Sequence, residues 1–188
     1  VLVSGLSSAH SPSTVRELNF PFTESDKGMG IEIYHAAHGK SEDTSAMRTF
    51  VPIMIDGEPN LLGAYVCTPL VKIPVRDLEA AGEKVKATTV AELGNMNRPL
   101  DMIAYENDGA SYLLLSNSAR GVMKISTAPF ATAQHIGARV PDGTAGVPFE
   151  AVTSMTGVEQ LDLLDADRSV VIARGQDGAR SLTAIALP

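Results

Sequence analysis

The segment Glu32-Ile33-Tyr34-His35-Ala36-Ala37-His38-Gly39 holds the residues best suited to chemistry. Two imidazoles three positions apart at the end of a strand can be directed at one metal ion through a turn. They supply half of a tetrahedral set, so a third ligand has to come from His10, His135, Cys67 or a carboxylate elsewhere in the fold. The competing reading makes His35 an ordinary strand residue and His38 a loop donor that holds the connection from Ser41 to Ala46. Cys67 ends an apolar run, where cysteine packs as a small hydrophobe, and Lys72 is the only basic residue close in sequence that could activate it. Asn95, Asn97 and Asp101 make a second polar group, just before and within another apolar strand. Asp56, Glu58, Glu106 and Asp108 flank Asp-Gly turns, where turn chemistry accounts for them without catalysis. The seven methionines are dispersed and read as packing, without the clustering of a soft-metal site. No Gly-x-Ser-x-Gly elbow, phosphate-binding loop or dinucleotide fingerprint is present.

These residues need a frame, and the frame is all-β. Gly, Pro and Asx-Gly pairs interrupt the chain too often for long amphipathic helices. Short strands are predicted at 1–6, 14–19, 30–35, 49–55, 61–67, 70–75, 85–92, 100–105, 112–117, 122–126, 149–153, 158–164, 169–173 and 182–186. With 188 residues, 44% of them hydrophobic, the chain can bury a sizeable core. A net charge of −7 with scattered Lys and Arg argues against nucleic acid, which needs clustered cations. Aromatics at 5% and no Trp leave little for stacking platforms. With Cys67 as the single cysteine, neither an intrachain disulfide framework nor a multi-cysteine zinc site can form. No apolar stretch approaches the roughly 20 residues of a membrane helix. The start at Val1, without Met or a basic leader, reads as a processed product and leans toward a periplasmic or secreted protein.

An internal repeat chooses among all-β folds. The stretch from Asp56 to Ile73 aligns with that from Asp108 to Ile125: an Asp-Gly turn, an apolar strand, a short turn and a second strand with an apolar-Lys-Ile step. A third copy runs from Asp165 to Ala173 and is closed by Asp177-Gly178 and the strand at 182–186; a fourth, incomplete copy opens the chain. The apolar strands begin at residues 1, 61, 113 and 170, spaced about 52 to 60 apart, which is the size of a propeller blade. The reading is one β-propeller segment of about three and a half four-stranded blades, at 1–47, 48–96, 97–156 and 157–188. That is too few to close a ring, so another polypeptide chain or a removed segment is expected to complete the propeller.

The stretch from Asn97 to Ile125 resembles one blade of the NHL and SMP-30/gluconolactonase type of propeller: Pro99 leading into a strand, Asp108-Gly109 at the turn, and Ser116-Asn117 before Val122. In the other copies, Val66-Cys67 and Ala173-Arg174 stand in place of the Ser-Asn pair. The resemblance implies an axial ion, calcium or zinc, bound by Asn, Asp and Glu near the inner strands, with Asp101 as the matching residue and Asn97 beside it. The alternative for Asp101 is a carboxylate that hydrogen-bonds the backbone of a neighbouring blade. Two functions follow as expectations. The first is a binding or assembly module of a larger exported propeller. The second is a metal-dependent extracytoplasmic enzyme, a hydrolase, a lactonase or an oxidoreductase partner, using calcium, zinc or copper near His35, His38, Asp101 and Asn97.

Overall fold

The computed structural model describes residues 1–5, 13–24, 28–79, 82, 84–141 and 143–188. In chain order, the strands are β1 (Leu2–Gly5), β2 (Thr14–Glu17), β3 (Met29–His35), β4 (Lys40–Glu42), β5 (Met47–Ile55), β6 (Glu58–Tyr65), β7 (Pro69–Pro74), β8 (Lys84–Lys86) and β9 (Thr88–Leu93). They continue as β10 (Pro99–Asn107), β11 (Ala110–Asn117), β12 (Gly121–Ser126), β13 (Thr144–Gly146), β14 (Glu150–Ala151), β15 (Val158–Leu163), β16 (Arg168–Arg174) and β17 (Arg180–Ala186). Among the described residues helix is confined to one turn at Val75–Leu78 and a 3-10 turn at Ala128–Ala131. None is long and apolar enough to cross a membrane among the described residues.

The fold is therefore all-β, as the alternation of apolar residues requires. Among the described residues four sheets form: β1-β2-β3-β4 with β8 parallel to β3, then β13-β9-β7-β6-β5, then β10-β11-β12-β14, then β15-β16-β17. The two best-matched repeats give equivalent hairpins. Asp56-Gly57 takes φ of 51° and 76° and Asp108-Gly109 takes 51° and 75°, the paired positive φ that a two-residue type I′ turn demands.

The inner sheets are buried on both faces, which explains their continuous apolar runs. In β6, Leu61 and Tyr65 face the first sheet, where they meet Val15, Ile31 and Ile33, while Leu62 and Ala64 face the third. In β11, Leu113 and Leu115 join Leu62, Val90 and Met123, and Leu114 points the other way to meet Leu161 and Val171. Side chains of period two thus feed three apolar clusters, one at each joint between successive sheets. The leading strands lie together, β5 against β10 and β10 against β15. Among the described residues the stack closes into neither a barrel nor a ring.

Three expectations are corrected. The single strand at 85–92 is two, β8 in the first sheet and β9 in the second, because Ala87 N–H turns to bond Glu32 O (2.8 Å) and sends the chain across the joint. The strand at 149–153 shrinks to the two residues of β14, against β12. Cys67 does not end a strand: it lies half-buried in the β6–β7 turn with φ of 62°, followed by Thr68 at 73°. Polar contacts from the next loop hold this backbone, with Cys67 N–H on Asn97 O (3.0 Å) and Thr68 Oγ1 on Gly94 O (2.6 Å).

Candidate functional site

His35 ends β3, and the turn from Ala36 to Gly39 reverses the chain into β4, which pairs back with His35 opposite Lys40. Gly39 closes the turn at φ of 70°, and its N–H bonds His35 O (2.8 Å). The reversal lays the His38 ring against that of His35, centroids 3.7 Å apart and planes inclined by 31°. Glu42, on β4, reaches both rings. One carboxylate oxygen meets His35 Nδ1 and accepts from Ser45 Oγ (2.6 Å); the other meets His38 Nδ1 (3.3 Å) and lies 3.5 Å from Lys40 Nζ. Burial pushes the Glu42 pKa up, but the hydrogen bonds from Ser45, His35 and His38 outweigh it and bring the value down to about 2. The His35 imidazole is shifted the other way from a salt-bridged histidine: burial lowers its pKa despite the bond to Glu42.

An ionised carboxylate only accepts, so a neutral His35 carries its proton on Nδ1 and leaves a lone pair on Nε2. That Nε2 is buried and has no hydrogen-bond partner among the described residues. Cys67 completes the group from the second sheet. A ring nitrogen of His35, one of His38 and Cys67 Sγ all lie within 4.8 Å of one another. His35 is buried, His38 exposed and Cys67 intermediate, so the group opens to solvent on one side.

Glu92 on β9 braces the same turn: its Oε1 accepts from Ala36 N–H (2.7 Å) and Ala37 N–H (3.3 Å). Its Oε2 is likewise buried without a partner among the described residues. Neither Glu42 nor Glu92 was singled out from sequence. A signal existed for Glu92, a carboxylate inside the apolar run Val90-Ala91-Glu92-Leu93, because a buried charge needs a compensating partner. None existed for Glu42.

The side chains of the other predicted residues have other partners. His135 Nδ1 accepts from Thr89 N–H (3.3 Å), and His10 lies outside the described residues. Asp101 Oδ1 accepts from Met102 N–H (2.9 Å) and Oδ2 from Leu161 N–H (3.0 Å), so its carboxylate ties β10 to the backbone of the next sheet. Burial raises its pKa against these two bonds. Asn97 is buried, donating from Nδ2 to Asn117 Oδ1 (3.0 Å) and accepting at Oδ1 from Ala119 N–H (3.0 Å). Its carbonyl also holds Cys67 N–H, so Asn97 supports the Cys67 turn through its backbone. Asn97→Ala is expected to cost about 1.5 kcal/mol of stability, since it leaves buried Asn117 Oδ1 without its donor. Urea unfolding checks this; an unchanged midpoint is incompatible with the bonding described.

No family model matches this chain, and no curated protein matches it.

Proposed function

We propose that this chain is a run of propeller-type blades serving as a binding and assembly module, with the open end of its stack covered by another polypeptide. The last sheet carries the reading. Every earlier joint is filled by an apolar cluster, whereas among the described residues β15-β16-β17 is packed on one face only. On that inner face Leu161 and Val171 are buried. On the other, Ile172 pairs with Leu182 and Val170 with Ala184, and Leu182 is 72% exposed. Gln160 and Asp162, opposite Ile172 and Val170 on β15, edge this apolar patch, and an exposed apolar patch with a polar edge is a docking surface. The blade-sized repeat, the adjacent leading strands and the resemblance of 97–125 to NHL-type blades all support a radial stack.

Produced alone, the chain is expected to self-associate through this face, and Leu182→Glu is expected to restore a monomer with an unchanged melting temperature. Sedimentation velocity across a concentration series reads the result. A chain that stays monomeric at high concentration and binds no apolar dye overturns the proposal.

A further inference from the structure

We propose that His35, His38 and Cys67 bind one thiophilic late first-row metal ion, zinc or copper, across the joint between the first and second sheets. The proposal does not depend on how the blade stack is completed. Three observations carry it.

The first is convergence. Two imidazoles and the chain's single thiol, from β3 with its turn and from the β6–β7 turn, place one donor atom each within 4.8 Å of the other two. Donors bound to one tetrahedral ion at about 2.0 to 2.3 Å stand roughly 3.5 Å apart, so closure requires a shift of about 1 Å. The exposed His38 and half-exposed Cys67 are the members placed to make it.

The second is the partnerless nitrogen. His35 is 1% exposed, and its Nδ1 is taken by Glu42, so Nε2 presents a lone pair that nothing among the described residues satisfies. Buried polar atoms are rarely left this way. A carboxylate on one ring nitrogen fixes the tautomer and frees the other for a cation, the arrangement that orients metal-bound histidines. Glu42 does this for both rings at once, which makes it a positioning residue rather than a ligand.

The third is backbone strain at the thiol. Cys67 and Thr68 both sit at positive φ, and for a β-branched threonine this is an outlier. Such conformations persist where surrounding bonds impose them, here Asn97 O on Cys67 N–H and Gly94 O on Thr68 Oγ1, and from this turn Cys67 Sγ lies within 4.8 Å of a ring nitrogen of each histidine.

Two nitrogens and a sulfur select the ion class. Calcium and magnesium prefer all-oxygen shells, whereas imidazole with thiolate suits zinc and copper. Binding forms a metal–sulfur bond and releases the thiol proton to solvent. Three protein ligands leave the fourth position to water or an incoming ligand.

The test uses the chelator-treated 188-residue protein titrated with Co²⁺, then with Zn²⁺ and with Cu⁺ under reductant. Saturation at one equivalent is expected, with a thiolate-to-cobalt charge-transfer band that Zn²⁺ or Cu⁺ erases. Cys67→Ser should abolish the band and weaken binding at least tenfold. His38→Gln, an exposed change that leaves the fold alone, should keep the band and weaken binding at least tenfold. Absence of saturable one-equivalent binding, unchanged affinity in either variant, or preference for Ca²⁺ overturns the site.

Discussion

Gly146→Ala is expected to destabilise the protein by about 4 kcal/mol, a large loss for one methyl group. Gly146 closes β13 at φ of 77°, a region a side chain already disfavours. The greater cost is steric. A Cβ there would overlap the Val90 carbonyl oxygen and come within 2.9 Å of Ile136 Cδ1. The same carbonyl accepts from Val147 N–H (3.0 Å), so relieving the overlap pulls apart the bond that seats Val147 in the core between the second and third sheets. Gly109→Ala is the control, because Gly109 has φ of 75° yet no atom within 4 Å of its added Cβ. It should cost about 1 kcal/mol, the conformational part alone. Paired denaturant curves give the difference, and equal losses in the two variants would show that the approach of β13 to β9 is not tight.

Gly146 also marks where sequence reasoning stops. Apolar alternation is local, so the hairpins of β6–β7 and β11–β12 could be placed from residue type, and so could the Asp-Gly turns that join them to the strands before. The return of Thr144–Gly146 to pair with β9 could not, since three small or polar residues carry no periodicity and the pairing is long-range. The split between β8 and β9 escaped for the same reason: Val85 to Glu92 reads as one strand until Ala87 crosses to Glu32. In the site, the histidine pair was legible because its spacing is short. Cys67 was one of several third ligands, and only the fold chooses it. Its positive φ goes with the bond of its N–H to Asn97 O, 30 positions further on, while Gly94 O holds the neighbouring Thr68, so neither is a property of cysteine itself. Asp101, with Asn97 beside it, enters as a metal candidate through the resemblance of 97–125 to an SMP-30-like blade; in the structure Asp101 bonds backbone N–H groups and Asn97 bonds Asn117 and Ala119.

In chelator-treated protein, Glu92→Gln is expected to stabilise the fold by about 2 kcal/mol at pH 8 and to leave it unchanged near pH 4. Burial raises the Glu92 carboxyl from 4.5 to about 7, against the opposing pull of Ala36 N–H, Ala37 N–H and His38. Below about 4.5 the group is protonated folded and unfolded, so it exerts no pH dependence. Between 4.5 and 7 the folded chain keeps a proton that the unfolded chain releases, so raising the pH removes stability; above 7 the loss is complete. The full shift corresponds to about 3 kcal/mol at most, in line with an expected gain of about 2. Its neighbours act with the opposite sign. Glu42, held down to about 2, loses its contribution as the pH falls below 4.5, and His35, its pKa lowered by burial, costs stability as the pH falls below 6.5. The wild-type profile therefore mixes rising and falling limbs, and subtracting the variant's profile isolates Glu92. Glutamine keeps the oxygen that accepts from Ala36 and Ala37, so the turn bearing His35 and His38 stays braced. Stability measured by urea unfolding from pH 4 to 8 should show the variant's advantage growing between pH 4.5 and 7 and then levelling. An advantage that is flat across this range would mean that Glu92 is ionised throughout and that its buried, partnerless oxygen is compensated by a group not yet identified.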